Sequence, residues 1–456
     1  MWTVIYDLYF TGRLTWFVWI WSAISLVMFH RLWLGYRFNR RELWLEDPRR
    51  RERLRRRTRE FNVTTLVTCA KEDPEVFEVA MKYLRGQEGI ARHAILVMMD
   101  AFDNPSADDL TCLAIAEQYA DLVYTTNVRD KRINLANLFR LAEANSMLYE
   151  LLAPMDSDTV CDHEWVMASL ADAILENLHI GGATTAQRVL QVDTVPERIG
   201  DWLENARLKS SMAAGALYQQ VGCLPGRLYL VRTAAVAAEM PNLPNEVWRG
   251  HFKPCWPTLR HPWPFRSWSV KTKAGDDRQI TNFVLRAGYQ TTLVPSAGVK
   301  TLVPDTYGKM WKTWRRWGTS SQGYVFRAFD VLWKNPFVLY HYVSDIIISH
   351  VSVGLVLAWA GSFFFSSEEL LFPFSVMLAL SFLGVMATFL IRQAPHLREQ
   401  PRDLLLLPHF VMIVTIAQFI RVAACWTPWR IGTWGTRAGV DDEVGNVFVR
   451  QHRPVA

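Results

Sequence analysis

The chain lacks a zinc module. Its six cysteines, Cys69, Cys112, Cys161, Cys223, Cys255 and Cys425, are scattered, with no C-x-x-C pair and no histidine partner at ligand spacing. They read as reduced thiols of a cytosolic domain or as packing residues. It also lacks the glycine-built phosphate cradles: no G-x-G-x-x-G follows the first expected strand and no G-x-x-x-x-G-K-[ST] occurs. Any phosphate must therefore be held by side chains. The first apolar run has no small-residue cleavage site and has the length of a span, which argues against a removable signal peptide.

Apolar residues are abundant. Half of the 456 residues are hydrophobic, with 20 Trp and 24 Phe, which suits a soluble domain joined to membrane segments with aromatic belts. The net charge of +6 is unevenly spread, with Arg37, Arg40 and Arg41 followed by a dense arginine run from Arg49 to Arg59. A nucleic-acid patch would show such a cluster. Directly after the apolar residues 14–34, retention of positive charge on the cytosolic side explains it more economically. No nucleic-acid partner is expected, and His30 and Arg31 near the inner end of that run are expected to snorkel.

From Phe61 the hydrophobic period changes. Apolar stretches at 63–67, 94–99, 122–124 and 147–153 alternate with helical patterns at 74–84, 107–119 and 132–144, the rhythm of a doubly wound, mostly parallel α/β sheet. Ligands of such sheets bind at the carboxyl ends of the strands. Asp73, Asp100 and the pair Asp156 and Asp158 fall there.

In Met155-Asp156-Ser157-Asp158-Thr159 two carboxylates one residue apart leave a buried strand, and in extended chain they project to one side, towards a divalent ion or the diphosphate it carries. A solvated turn has the same composition. Lys131 and Arg132 open the preceding helix and offer a point charge and a guanidinium fork to a diphosphate. Further on, Gly275-Asp276-Asp277-Arg278 sets a second acid pair at the mouth of a short helix. Helix capping alone would account for it. A metal site plus a separate base is also what activation of a sugar hydroxyl requires. The run Trp311-Lys312-Thr313-Trp314-Arg315-Arg316-Trp317 interleaves tryptophan with base, as a membrane-interface anchor, a sugar-stacking platform or a nucleic-acid contact would, and its place just before the apolar carboxyl-terminal region favours a site near the membrane surface.

Residues 201–221 read as one helix, on the sheet or on a membrane surface. Residues 241–268, rich in Pro, Trp, His and Arg, read as a long irregular loop, with His251 and His261 outside ligand spacing. Apolar runs at 337–365 and 370–391 read as spans joined by an outside hairpin at Ser366 to Glu369. Residues 404–425 either span, leaving the tail outside, or lie at the interface, leaving it cytosolic. His341, Asp345 and His350 in or beside the first run are ionisable groups at membrane depth.

In order, Asp100, Lys131-Arg132, Asp156-Ser157-Asp158, Gly275-Asp276-Asp277-Arg278, Arg316-Trp317 and Trp434-Gly435-Thr436-Arg437 resemble the motifs of the processive family 2 glycosyltransferases. Within them the set is similar to the hyaluronan synthase-like branch, related to chitin oligosaccharide, cellulose and capsule polysaccharide synthases. The resemblance covers residues 60–440. It implies a GT-A-like α/β domain inserted between transmembrane helices of a multi-pass protein, in a plasma membrane or bacterial inner membrane, with the catalytic domain cytosolic. The expected units are a transmembrane helix at 1–36, a basic linker at 37–60, the transferase at 61–305, an interface segment at 306–335, transmembrane and interfacial helices at 336–430 and a tail at 431–456. Because the family's W-G-T-R run is cytosolic, residues 404–425 are expected to be interfacial or re-entrant.

The resemblance also implies roles. Asp100, Lys131, Arg132 and Asp156 would bind a nucleoside-diphosphate sugar, a UDP-sugar in most of the family. Asp158, with Asp156, would hold Mg²⁺ or Mn²⁺, and Asp277 would be the general base. Arg316 would meet the diphosphate; Trp317, Gly226 and Arg278 would line the acceptor path; Asp276, Trp434 and Arg437 support the motifs. Three departures stand out: Thr313 replaces the motif glutamine, the first strand ends Thr68-Cys69-Ala70-Lys71-Glu72-Asp73 without an aromatic residue for uracil, and the acceptor loop is the modified Gly222 to Arg227. The expected product is a β-linked polysaccharide made with inversion and translocated. A transferase making a short oligosaccharide or glycolipid, and an inactive transporter or scaffold, are the alternatives. If glucuronate were the donor sugar, Arg227, Arg278 and Arg315 are candidates for its carboxylate.

Overall fold

The computed structural model describes residues 13–45, 61–100, 102, 104–255, 264–365, 390, 393–432 and 449–452. The expectations for the linker beyond residue 45, His261, the hairpin at 366–369, nearly all of the run 370–391, Trp434 and Arg437 lie outside the described residues.

A nine-stranded sheet with the order β11-β3-β2-β1-β4-β7-β6-β10-β5 organises the chain. Its strands are β1 (Asn62–Cys69), β2 (Arg92–Met99), β3 (Leu122–Thr126), β4 (Leu151–Asp156), β5 (Thr159–Cys161), β6 (Ile180–Val189), β7 (Tyr229–Arg232), β10 (Gln290–Thr301) and β11 (Val449–His452). β1 to β4, β6 and β10 run one way, while β5, β7 and β11 oppose them. The sheet is thus the expected mostly parallel one. β1 and β2 are buried on both faces, which is why they read as continuous apolar runs. Val63, Val67, Ile95 and Val97 pack on one side with Phe77, Leu84, Leu170 and Ile174. Leu66, Leu96 and Met98 pack on the other with Leu135, Leu138, Phe139 and Val284. The first side is covered by helices α2 (Pro74–Arg85), α3 (Ala107–Tyr119) and α5 (Val166–Glu176), the second by α4 (Lys131–Ala144) and α7 (Asp276–Arg286); α1 is Arg13–Leu45 and α6 is Val195–Ala206.

Local chemistry sets the boundaries. Asp73 caps α2, accepting from the Glu75 amide at 2.9 Å, with Pro74 in the first turn. Its place after β1 is thus capping, whereas the other strand-end acids remain at the site. The helix expected at 201–221 is instead α6, opened by a Thr194–Glu197 capping box, then a π-helical stretch Arg207–Met212 and a short helix Ala213–Leu217. The α1 backbone meets that stretch at Gly35, where an added Cβ would lie 2.6 Å from the Lys209 carbonyl oxygen.

Residues 241–268 are not an irregular loop. They contain most of an antiparallel hairpin, β8 (Val247–Pro254) with β9 (Phe265–Lys271), in a separate two-stranded sheet. Its period-2 signal is short, confined to Trp248 in β8 and to Trp268 and Val270 in β9, and the remaining positions are mostly exposed.

Three further helices are α8 (Tyr307–Arg327), α9 (Pro336–Phe365) and α10 (Leu407–Trp426). Among the described residues, Pro336–Gly354 and Pro401–Trp426 are long and apolar enough to cross a membrane by length and composition. The second lies along the α/β domain. Its Phe410 stacks on Trp202 of α6 at 4.2 Å, Phe410 and Ile413 cluster with Met310 of α8, and Ala424 and Ile420 face Gly318. After α10 the chain returns to the sheet, where β11 pairs with β3. Both flanks of α10 therefore touch the same domain. Arg31 does not snorkel: it is buried, and its guanidinium meets Asp345 of α9 at 2.6 Å and the His341 carbonyl at 2.7 Å. The polar groups of α9 thus serve as a seam to α1, and also to α10, since His350 accepts from Trp426 at 3.0 Å.

Candidate active site

The site forms at the carboxyl edge of the sheet, where β4 ends beside β1 with Asp156 opposite Thr68. The Asp156 amide donates to the Arg227 carbonyl at 3.0 Å, which brings the loop 222–227 onto the strand end. Lys131, in the first turn of α4, reaches Asp156 at 2.5 Å and Asp276 of α7 at 3.1 Å. Burial alone would lower its pKa, but these two carboxylates outweigh burial and hold the ammonium above its ordinary value. The same contact keeps Asp276 below its usual range despite burial.

Gly226 marks the centre. A Cβ there would lie 3.4 Å from Lys131 Nζ, 3.5 Å from Asp156 Oδ2 and 3.7 Å from Asp277 Cβ. Lys131, Asp156, Gly226 and Asp277, drawn from four distant parts of the chain, thus share one small volume. Gly275, ahead of Asp276, has a φ of +80°, and any side chain there would collide with Ser320 of α8. Glycine is required on both counts.

Asp277 is pushed up by burial and by the neighbouring Asp276, with Arg278 and Lys131 opposing. It accepts from Cys223 Sγ at 3.5 Å and from the Arg278 amide at 2.8 Å. The Arg278 guanidinium is directed to Tyr342 of α9, donating to its hydroxyl and lying 5.0 Å from the ring centroid, and that hydroxyl donates to the Gly222 carbonyl at 2.6 Å. One tyrosine thereby ties the acid-pair helix and the loop 222–227 to an apolar helix. Neither Cys223 nor Tyr342 carries a motif signal that singles it out in sequence.

Asp158 does not continue the strand; it sits in the turn between β4 and β5 and accepts from Thr301 Oγ1 at 3.1 Å. Burial, then Asp156 and Glu72, push its pKa to about 7. Ser157 donates to Glu72 at 2.9 Å, so Glu72, which sequence reading passed over, belongs to this edge. Among the described residues no group of three or more His, Cys, Asp or Glu side chains is arranged to hold a metal by itself. The acids present still fit a divalent ion: hard oxygen donors are crowded enough to repel one another, and an ion bound through one or two carboxylates plus ligand phosphates is the usual pattern for Mg²⁺.

The remaining expectations are placed as follows. Asp100 is buried at the end of β2, its amide bonded to the Cys69 carbonyl at 2.7 Å on the same sheet edge. Arg132 departs from the expectation of a second cation on a diphosphate. It is 0% exposed, and its guanidinium donates to the Leu243 carbonyl from both Nε and one terminal nitrogen, to the Ala274 carbonyl, to Tyr324 and to Glu246. It holds the segment ahead of Gly275 against α4. Arg227 is likewise engaged, at 3.0 Å from Glu204 and 3.2 Å from Gln187. Arg316 and Trp317 lie on α8, the first half-buried and the second 43% exposed, one turn before the Ser320 that backs Gly275; Thr313 is buried on the same helix.

The description "Glycosyltransferase like family 2" fits residues 61–320, more than half of the chain. An N-acetylglucosaminyltransferase of Rhizobium leguminosarum bv. viciae is 26% identical over 279 residues, 59% of this chain and 58% of that protein. Another, of Rhizobium meliloti strain 1021, is 29% identical over 289 residues, 62% and 61% respectively. The chain thus matches about three fifths of the length of these relatives. Among solved structures, a mannosyltransferase of Pyrobaculum calidifontis in complex with GDP-Man and Mn²⁺ superposes with a TM-score of 0.56 at 14% identity, covering 90% of this chain and 97% of that one, a likeness of fold. With the matched stretch carrying both acid pairs, Lys131 and the whole parallel sheet, the chain belongs to the family 2 glycosyltransferases of GT-A-like fold.

Proposed function

We propose that the protein is a membrane-associated, inverting transferase that adds N-acetylglucosamine from a nucleoside-diphosphate donor, a UDP-sugar, to a growing β-linked saccharide. The observation that carries this reading is the convergence of Lys131, Asp156 and Asp277 on Gly226. A donor diphosphate on the Lys131 and Asp156 side puts the anomeric carbon next to an acid on the other side. The sugar comes from the names of the rhizobial relatives.

In this mechanism the acceptor hydroxyl attacks the anomeric carbon while Asp277 takes its proton. The bond from that carbon to the diphosphate oxygen breaks, its electron pair leaves with the nucleoside diphosphate, and configuration inverts. Lys131 supplies fixed positive charge to the leaving group, and Arg316 approaches from α8. A divalent ion, Mg²⁺ or Mn²⁺, held by Asp158 with Asp156 would neutralise further charge on the diphosphate. Arg132 keeps the Ala274 to Asp277 segment in place, and Arg278 positions the same segment through Tyr342.

Asp277→Asn is expected to lower transfer by roughly 10²- to 10⁴-fold with donor binding retained, measured as nucleoside diphosphate release alongside donor titration; an active variant removes Asp277 from the role of base. A screen of UDP-GlcNAc, UDP-GlcA, UDP-Glc and GDP-sugars assigns the donor. Processive synthesis with translocation predicts high-mass labelled polymer inside or across proteoliposomes, whereas a short oligosaccharide or single-sugar lipid would make the enzyme non-processive. α9 as a span and α10 as an interfacial helix is the membrane arrangement consistent with both flanks of α10 lying on the transferase domain.

A further inference from the structure

The β8–β9 hairpin has a firm root and a surface the core does not use. At the root Trp248 is 1% exposed and packs edge-on to Tyr324 at 5.1 Å, in a cluster with Ala274. Further out, Arg249, Phe252, Phe265 and Arg266 are exposed, Phe252 at 77%. Phe252 and Phe265 meet edge to face at 6.1 Å. The strand register sets Lys253 directly opposite Arg266, and like charges across a strand pair destabilise the fold that contains them. From Val247 to Lys271 the sequence contains no Asp or Glu to offset them. Cationic and aromatic groups are therefore gathered on a small sheet at a cost to the isolated chain.

What lies beside this sheet points to its partner. Trp268 of β9 meets Trp429 at 6.1 Å, and the Lys253 ammonium sits 5.8 Å from the centre of the same Trp429 ring. Trp429 follows α10, whose last residue, Trp426, is 70% exposed and bonded to His350 of α9. The two helices in turn expose Ile347, Leu357, Met412 and Ile416. The hairpin thus joins, through Trp429, a helix end with exposed apolar and tryptophan side chains, and adds cationic groups of its own, the composition found where protein meets lipid headgroups.

We propose that β8–β9 is a membrane-surface anchor that docks on an anionic phospholipid bilayer, with Phe252 and Phe265 entering the interface and Arg249, Lys253 and Arg266 meeting the headgroup phosphates. An anionic surface relieves the repulsion between Lys253 and Arg266, and each basic residue near it adds attraction that salt screens. Because Lys271 is five residues from Asp276 and the hairpin root packs on Ala274, docking also sets the acid pair at a defined height over the bilayer. The proposal rests on the membrane-associated reading above but not on the identity of the reaction, so its test reads lipid contact rather than transfer.

The full chain, with Phe252 replaced by p-benzoylphenylalanine, is reconstituted in nanodiscs of phosphatidylcholine alone or mixed with phosphatidylglycerol, irradiated and digested. The expected result is a phospholipid adduct on the peptide carrying position 252, at least about fivefold more abundant in the anionic discs, the effect of one basic residue near such a surface, and reduced by salt. Arg249→Glu, Lys253→Glu and Arg266→Glu together should erase the preference without changing the melting temperature. If that triple variant fails to fold, the comparison of discs with the singly labelled chain still decides. Equal yields in both discs, or no lipid adduct, overturn the proposal. So does an adduct to added chito-oligosaccharide in place of lipid, which would make the hairpin a carbohydrate surface.

Discussion

Gly226 shows how much one missing side chain decides. Its Cα faces the point where the Lys131 ammonium and the Asp156 and Asp277 side chains converge, and an added methyl group would meet them at 3.4 to 3.7 Å without colliding with backbone. Gly226→Ala should therefore fold and melt like the parent while occupying volume that substrate needs. Transfer is expected to fall by about 10²-fold, the scale of a misplacement of roughly 1 Å, measured as steady-state rate beside a thermal melt. Arg132 predicts the opposite pattern. Removing its guanidinium in Arg132→Met leaves Glu246 without its cation, held by Tyr324 alone, and takes the arginine donor from the Leu243 and Ala274 carbonyls, a loss of about 3–5 kcal/mol for breaking a buried pair. Chemical denaturation should show this, and an unchanged midpoint would return Arg132 to the diphosphate. Lys131 and Arg132 are neighbours in sequence and looked alike as a basic pair. Successive residues of a helix leave it in different directions, and which one meets a ligand depends on what the helix packs against.

Among the elements, β2 carries a pH-dependent contribution to stability. His93 is half-buried, its ring bonded to the Thr65 hydroxyl of β1 at 2.8 Å, and burial, with help from Arg85, lowers its pKa from 6.5 to about 4. Between those values the unfolded chain binds a proton that the folded chain does not. Stability therefore rises with pH through this window, is complete above about 6.5 and is lost as pH falls towards 4, by about 3 kcal/mol at most. Denaturation midpoints of the parent and of His93→Gln across pH 4 to 7 should converge at the acid end, and parallel curves would exclude the effect. The parallel strands, their helices and the strand-end acids were legible because burial on both faces writes itself as apolar runs. β6 was not: its Ile180-Gly181-Gly182-Ala183-Thr184-Thr185 carries little bulk, since Tyr289 and Leu224 fill the space over its glycines. The β8–β9 hairpin was missed because only Trp248, Trp268 and Val270 face its small core, an alternation too short to stand out among the Pro, His and Arg around it.

At the scale of the whole molecule, α8 and α10 form the seam between the transferase domain and the apolar helices. Gly318 lets them approach, its built Cβ lying 3.5 Å from that of Ala424. Gly318→Leu should force them apart at a cost of about 1–3 kcal/mol, lowering the melting temperature of the detergent-solubilised protein; no change would mean the seam is loose. Sequence by itself determined the class of fold, the two acid pairs and the apolar stretches, because periodicity, charge clustering and motif order are written along the chain. Tertiary structure decided the rest. It chose Lys131 over Arg132 for the site, turned Arg31 from a snorkelling residue into the partner of Asp345, and laid α10 along α8 with β11 back on the sheet edge. Each of these depends on which groups from distant parts of the chain exclude water together, and hydropathy along a single helix cannot distinguish a lipid neighbour from a protein one.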